Sequence, residues 1–180
     1  MKIDRMEVYH VAMPLIYPWR TAYGEDYDIH SVLVKAFSGD IEAWAESTPL
    51  RTPTYLSECA ISVFNNVTNF FGPHVIGREY DTADALNERL KLFKGNSFAK
   101  AAIEICWWTL QSRITKTPIH KLLGGKTRPV SAGADFGIQD SYDMLLGNIQ
   151  GAVDAGFPRI KLKVAPGWLS LIHISEPTRR

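Results

Sequence analysis

The chain has little cysteine and no spacing that would put it to use. Cys59 and Cys106 stand far apart with no CxxC, which argues against a disulfide scaffold or a cysteine-built zinc site. The five histidines, His10, His30, His74, His120 and His173, form no HExxH or other ligand spacing, so zinc chemistry is not expected. There is no GxGxxG and no GxxxxGK[ST], hence no loop shaped to cradle a nucleotide phosphate. No basic run exists and the formal net charge is +1, so a nucleic-acid surface is not expected. No acidic cluster has the look of a complete magnesium site. The opening MKIDRMEVYH lacks the apolar stretch of a signal peptide, and no segment reaches the ~20 apolar residues that span a bilayer. The expectation is a soluble, cytoplasmic protein with no membrane partner. Internal repeats and low-complexity tracts are also missing.

What is present is an ordinary globular composition, 46% hydrophobic and 22% charged, enough for a buried core and against disorder. At 180 residues it can make one domain, or a small domain and part of another. Residues 2–14 alternate as a strand, with Ile3, Val8 and Ala12 apolar. The polar and aromatic stretch from Tyr17 to Gly24 reads as a loop. His30 to Phe37 makes a second strand, Ser38-Gly39-Asp40 a turn, and Ile41 to Glu46 a third strand. That is a three-stranded antiparallel meander.

After Pro53 the period changes. Leu56, Ala60, Phe64, Val67 and Phe71 recur at helical spacing, with Gly72-Pro73 as the stop. Asp81 or Thr82 caps a second helix through Lys94, with Ala85, Leu90 and Phe93 on one side. Asn96 or Ser97 opens a third, Phe98 to about Ile114, apolar almost all round and so expected in the centre. Cys106, Trp107 and Trp108 in that helix read as core residues. Ile119 to Leu123 is a short segment stopped by Gly124-Gly125. Strands followed by helices give an α+β pattern.

From about Arg128 the pattern changes again. Val130 to Phe136 reads as a strand, Asp140 or Ser141 caps a helix carrying Leu145, Ile149, Ala152 and Val153, and Arg159 to Val164 is a strand. This is a βαβ unit, so its two strands should be parallel with a right-handed crossover. One such unit cannot bury both its faces, so more chain is expected after it.

Lys161 and Lys163 are the informative residues. A strand alternates faces with period two, so both point the same way, roughly 6–7 Å apart. Ile160, Leu162 and Val164 point the other way. An apolar outer face with a charged inner one suits the carboxyl end of a parallel barrel strand, where active sites gather. Two ammonium groups that close, partly removed from water, disfavour each other's charge, which is what a lysine needs to act as a general base. On a bare Lys-x-Lys the commoner reading is an edge strand with solvated lysines; the βαβ context lowers its weight without removing it. Arg20 and Tyr23, on the aromatic loop, could cover an anionic ligand, and an ordinary solvated loop is as simple a reading.

Together these segments resemble the enolase superfamily, in its muconate-lactonizing branch. Pro18-Trp19-Arg20-Thr21 resembles the substrate-covering loop of the capping domain. Ser97 to Trp108 resembles the family's central helix, and Leu122-Leu123-Gly124-Gly125 the turn before its barrel. Arg159 to Trp168, with Lys-x-Lys and Pro-Gly-Trp, is most similar to o-succinylbenzoate synthases and N-acylamino acid racemases. The resemblance covers residues 1–168. It implies an α+β capping domain over residues 1–126 and the first βαβ unit of a (β/α) TIM-type barrel over 127–168, while residues 169–180 are expected to be a non-native tail. It further implies a magnesium-dependent enzyme that abstracts a proton α to a carboxylate. Lys163 would be the base, Lys161 would lie near the substrate carboxylate, and Arg20, Tyr23 and Asp135 would bind substrate.

The activity implied is that of an o-succinylbenzoate synthase, a dehydration on the route to menaquinone. Dipeptide epimerase, N-acylamino acid racemase and muconate cycloisomerase use the same lysines. A small carboxylate substrate and a homo-oligomeric full-length enzyme go with the resemblance. Mg2+ would be held by carboxylates from later strands, with no ligand in this chain, which would then be inactive alone. Two positions depart from the family: Thr109 stands where aspartate is usual after the helix tryptophan, and Asp135 where serine is frequent. LSLIHISEPTRR, residues 169–180, breaks the pattern where a helix should begin and resembles a translated sequencing adaptor. A reading of another class is a non-catalytic α+β binding module.

Overall fold

The structure is a computed structural model that describes residues 1–21 and 24–165. It divides into two compact units, one of Met1–Pro14 with Asp28–Thr127, the other of Leu15–Tyr27 with Arg128–Arg180.

The first unit is built on a three-stranded sheet in the order β1-β2-β3, with β1 Arg5–Thr21, β2 Gly24–Ser38 and β3 Ile41–Ser47. β2 pairs antiparallel with β3, placing Val32 opposite Ser47, Val34 opposite Ala45 and Ala36 opposite Ala43. All six are buried, and side chains as small as Val, Ala and Ser leave little standing off the sheet. The long helix α4, Ser97–Thr115, packs on that face through Ala99, Ala102, Ile103, Cys106 and Leu110. Small residues on both partners let the backbones approach, so that Cys106 Sγ lies 3.4 Å from the Ala43 carbonyl. The other face of the sheet carries the partly buried Lys35 and the more exposed Trp44 and Tyr9. Ile105 on the far side of α4 is half-exposed, so the helix is buried along one face rather than all round.

Around α4 lie α1 Ala60–Asn66, a π-helical turn Val67–Phe71, α2 Gly72–Val75 and α3 Ala83–Leu90. Gly72 and Pro73 do not stop the first helix as the sequence suggests. Gly72 donates its N–H to the Val67 carbonyl, five residues back, and a Cβ at position 72 would sit 2.8 Å from that oxygen. Glycine therefore permits the wide turn, and Pro73 falls in the first turn of α2, where its missing N–H is tolerated. Leu56 is exposed and precedes the helix. In α3, capped by Thr82, the buried positions are Ala83, Leu86 and Leu90 rather than Ala85. α5, Ile119–Leu122, ends at Gly124 with φ +77°.

In the second unit, β4 Ala134–Phe136 pairs parallel with β5 Ile160–Leu162, joined by α6 Tyr142–Asp154. Both strands are shorter than their apolar runs, and Val130 is largely exposed ahead of β4. The same unit contains the tip of the β1–β2 hairpin, where the sequence suggests a loop. Pro14 and Pro18 interrupt the strand text, and β1 accommodates them because it is an edge strand with one side free of ladder partners. Among the described residues no helix is long and apolar enough to cross a membrane.

Candidate active site

The register of the parallel pair sets Asp135 opposite Lys161. Residues opposite one another share a face, and Lys161 Nζ donates to Asp135 Oδ2 at 2.8 Å. Both side chains are more than half exposed, so the pair contributes at most about 1 kcal/mol. Lys163 follows β5 on the same face as Lys161. Its backbone N–H donates to the Phe136 carbonyl at 2.9 Å, which extends the ladder by one bond and fixes where the side chain leaves. Its ammonium stands 4.5 Å from the centroid of the Trp19 ring. A cation over an indole face gains about 0.5–1 kcal/mol at an exposed site.

Arg20 is the next residue of β1. Its Nε lies 2.7 Å from Glu25 Oε1, and its Nη1 donates to Asp140 Oδ1. The Asp140 hydrogen bond first, then the charges of Asp140 and Glu25, hold the guanidinium above its ordinary value. Tyr27 donates its hydroxyl to the second Glu25 oxygen at 2.8 Å, and that bond raises the phenol. Glu25 is thus shared between an arginine and a tyrosine of the same hairpin.

Of the five residues singled out from the sequence, Lys161 and Asp135 meet directly, Lys163 meets Trp19, and Arg20 is engaged by carboxylates. Tyr23 lies outside the described residues, as do Pro166-Gly167-Trp168 and the segment 169–180. The sequence reading missed Glu25 and Asp140. Asp140 was visible only as one of two possible caps for α6. The structure gives that cap to Ser141, whose Oγ accepts the Met144 N–H at 3.2 Å, and so leaves Asp140 for Arg20.

The chemistry available follows from these pairings. Lys161, tied to a carboxylate, is suited to compensating charge. Lys163 forms no ion pair among the described residues; its ammonium meets the Trp19 ring instead. Among the described residues no three His, Cys, Asp or Glu side chains converge to hold a metal ion.

A model of the mandelate racemase / muconate lactonizing enzyme N-terminal domain matches residues 4–124. An N-succinylamino acid racemase from Thermus thermophilus is 31% identical over 168 residues, 93% of this chain and 46% of the racemase. An o-succinylbenzoate synthase from Geobacillus kaustophilus is 30% identical over 169 residues, again 93% of this chain and 45% of the synthase. Among solved structures, a member of the enolase superfamily from Listeria innocua matches with a TM-score of 0.86 at 24% identity, a likeness of fold. It covers 97% of this chain and 48% of that one. The chain spans about half the length of the curated relatives it matches.

Proposed function

Because this chain belongs to the mandelate racemase / muconate lactonizing enzyme family of the enolase superfamily, we propose that it is the amino-terminal part of an enzyme that abstracts the proton α to a substrate carboxylate. The full-length activity we propose is that of an o-succinylbenzoate synthase. On this reading residues 1–126 form the capping domain and residues 127–168 begin the barrel.

The observation that carries the proposal is the parallel β4–β5 pair with Asp135, Lys161 and Lys163 at its carboxyl end. Lys163, as the neutral amine, takes the α proton. Negative charge then develops on the substrate carboxylate, and the Lys161 ammonium lies on the same face to stabilise it. Arg20 and Trp19 bring the hairpin tip to the same unit, where on this reading they would close over the bound substrate. Asp135 competes with the substrate carboxylate for Lys161, which keeps that lysine in place as a fixed charge. Magnesium, implied by the family resemblance, is proposed for the full-length enzyme, where it supplies further stabilisation of the developing enediolate.

A second reading is favoured by the 31% identity to a protein named as an N-succinylamino acid racemase. Racemisation shares the first proton transfer and differs in the second step, return of a proton instead of loss of water. The test is to assay the full-length protein with magnesium for dehydration to o-succinylbenzoate and for racemisation of an N-succinylamino acid. Turnover of the first with Lys163→Ala inactive supports the proposal. Turnover of the second alone moves the assignment to the racemase, and activity that survives Lys163→Ala removes the lysine mechanism.

A further inference from the structure

Glu25 and Asp140 lie next to the proposed site, and neither lysine needs them directly. Their shared partner is Arg20, held by Glu25 from within the hairpin and by Asp140 from the loop between β4 and α6. That loop is itself fixed. Gln139 Nε2 donates to the Gly137 carbonyl at 3.1 Å, Asn148 Nδ2 donates to Gln139 Oε1 at 3.2 Å, and Ser141 caps α6. The Arg20 backbone runs beside the loop as well, since a Cβ on Gly137 would lie 3.9 Å from the Arg20 carbonyl oxygen.

Trp19 and Arg20 are consecutive in a strand, so their side chains leave on opposite faces. Gripping Arg20 on one face orients Trp19 on the other through a single peptide unit. The Trp19 ring is the group set over the Lys163 ammonium, at 4.5 Å.

We propose that Asp140, acting with Glu25 through Arg20, is a positioning residue that seats the Trp19 ring over Lys163. Its consequence for catalysis rests on the role of Lys163 given above, whereas the seating is a property of the chain and is measured without turnover. Asp140 is one of two carboxylates holding an exposed guanidinium, so its loss should lower the ratio of seated to unseated ring by up to about fivefold and leave the fold intact.

The test is reductive 13C-methylation of the 180-residue chain, followed by NMR of the lysine methyl resonances. Lys163, identified by its loss in Lys163→Arg, should be displaced by the indole ring current, and Trp19→Ala should abolish the displacement. Asp140→Asn should reduce it by about half or more, and Glu25→Gln should reduce it less. In the unaltered chain, raising salt from ~0.05 to ~1 M should shrink the displacement, since salt screens the Arg20 pairs. This last measurement decides the matter if a variant fails to fold. A Lys163 resonance that shows no ring displacement, or one that neither Asp140→Asn nor salt alters, overturns the proposal. Loss of activity in Lys163→Ala without these effects would leave the function standing and the positioning role refuted.

Discussion

Replacing Glu58 by alanine should loosen the central helix more than any surface substitution. Glu58 is 9% exposed, and its two carboxylate oxygens accept the N–H groups of Phe98 at 3.0 Å and Ala99 at 3.1 Å. Those are second- and third-position donors of α4, which no intrahelical carbonyl can satisfy. The residue that should cap them, Asn96, cannot. Its φ is +58°, and its side chain is spent on the Lys94 carbonyl and Asn66. A glutamate some 40 residues earlier therefore does the work of the cap. Hydrogen bonds to a charged acceptor contribute about 1.5–3 kcal/mol each, and a carboxylate at a helix N-terminus adds about 0.3–1 kcal/mol. Release of the carboxylate to water offsets part of this, which leaves about 3 kcal/mol for Glu58→Ala. For a chain of this size that lowers Tm by about 6–12 °C. Glu58→Gln, which keeps one acceptor and loses the charge, should fall about midway. Thermal and urea unfolding followed by circular dichroism measures both. A Glu58→Ala chain within about 0.5 kcal/mol of the unaltered one would refute the reasoning.

Burial pushes the Cys106 thiol up to about 12, with its Sγ packed against the Val34 and Ala43 carbonyls. In the native chain at pH 8 it should resist a disulfide reagent and react only as urea unfolds α4, whereas prompt labelling in buffer would contradict that placement. His74 is held below its ordinary value by burial first, then by the charges of Arg89 and Arg78. The unfolded state therefore takes up the proton first, and stability is lost as pH falls through the ordinary imidazole range near 6.5. His74→Gln should flatten the fall in urea midpoint between about pH 7.5 and 5.5; an unchanged slope would show that His74 is not the group responsible.

The parts of the fold legible in the sequence were those where one face is buried. Val32, Val34 and Ala36 alternate with half-buried neighbours, and Ala99 to Leu110 repeat at helical spacing, so burial wrote the period into the text. The hairpin tip was not legible, because β1 continues to Thr21 through two prolines and several exposed aromatics that core packing does not select. Helix ends were also hidden where the deciding partner is distant, as with Glu58 at α4, or where glycine permits a wide turn, as at Gly72. Lys161 and Lys163 were visible because a period-two strand forces them onto one face. Asp135 could be placed at the end of the first barrel strand, but its bond to Lys161 depends on register. The Arg20 clamp depends on contacts between residues 120 apart, which no local pattern encodes.

The most direct measurement is proton exchange at the α carbon. In D2O, with magnesium, the full-length enzyme should wash deuterium into the α position of an N-succinylamino acid or release o-succinylbenzoate, and Lys163→Ala should abolish both while substrate still binds. Lys161→Met should weaken turnover by impairing charge stabilisation. Undiminished exchange in Lys163→Ala would contradict the assignment of Lys163 as the base and, with it, the function proposed for this chain.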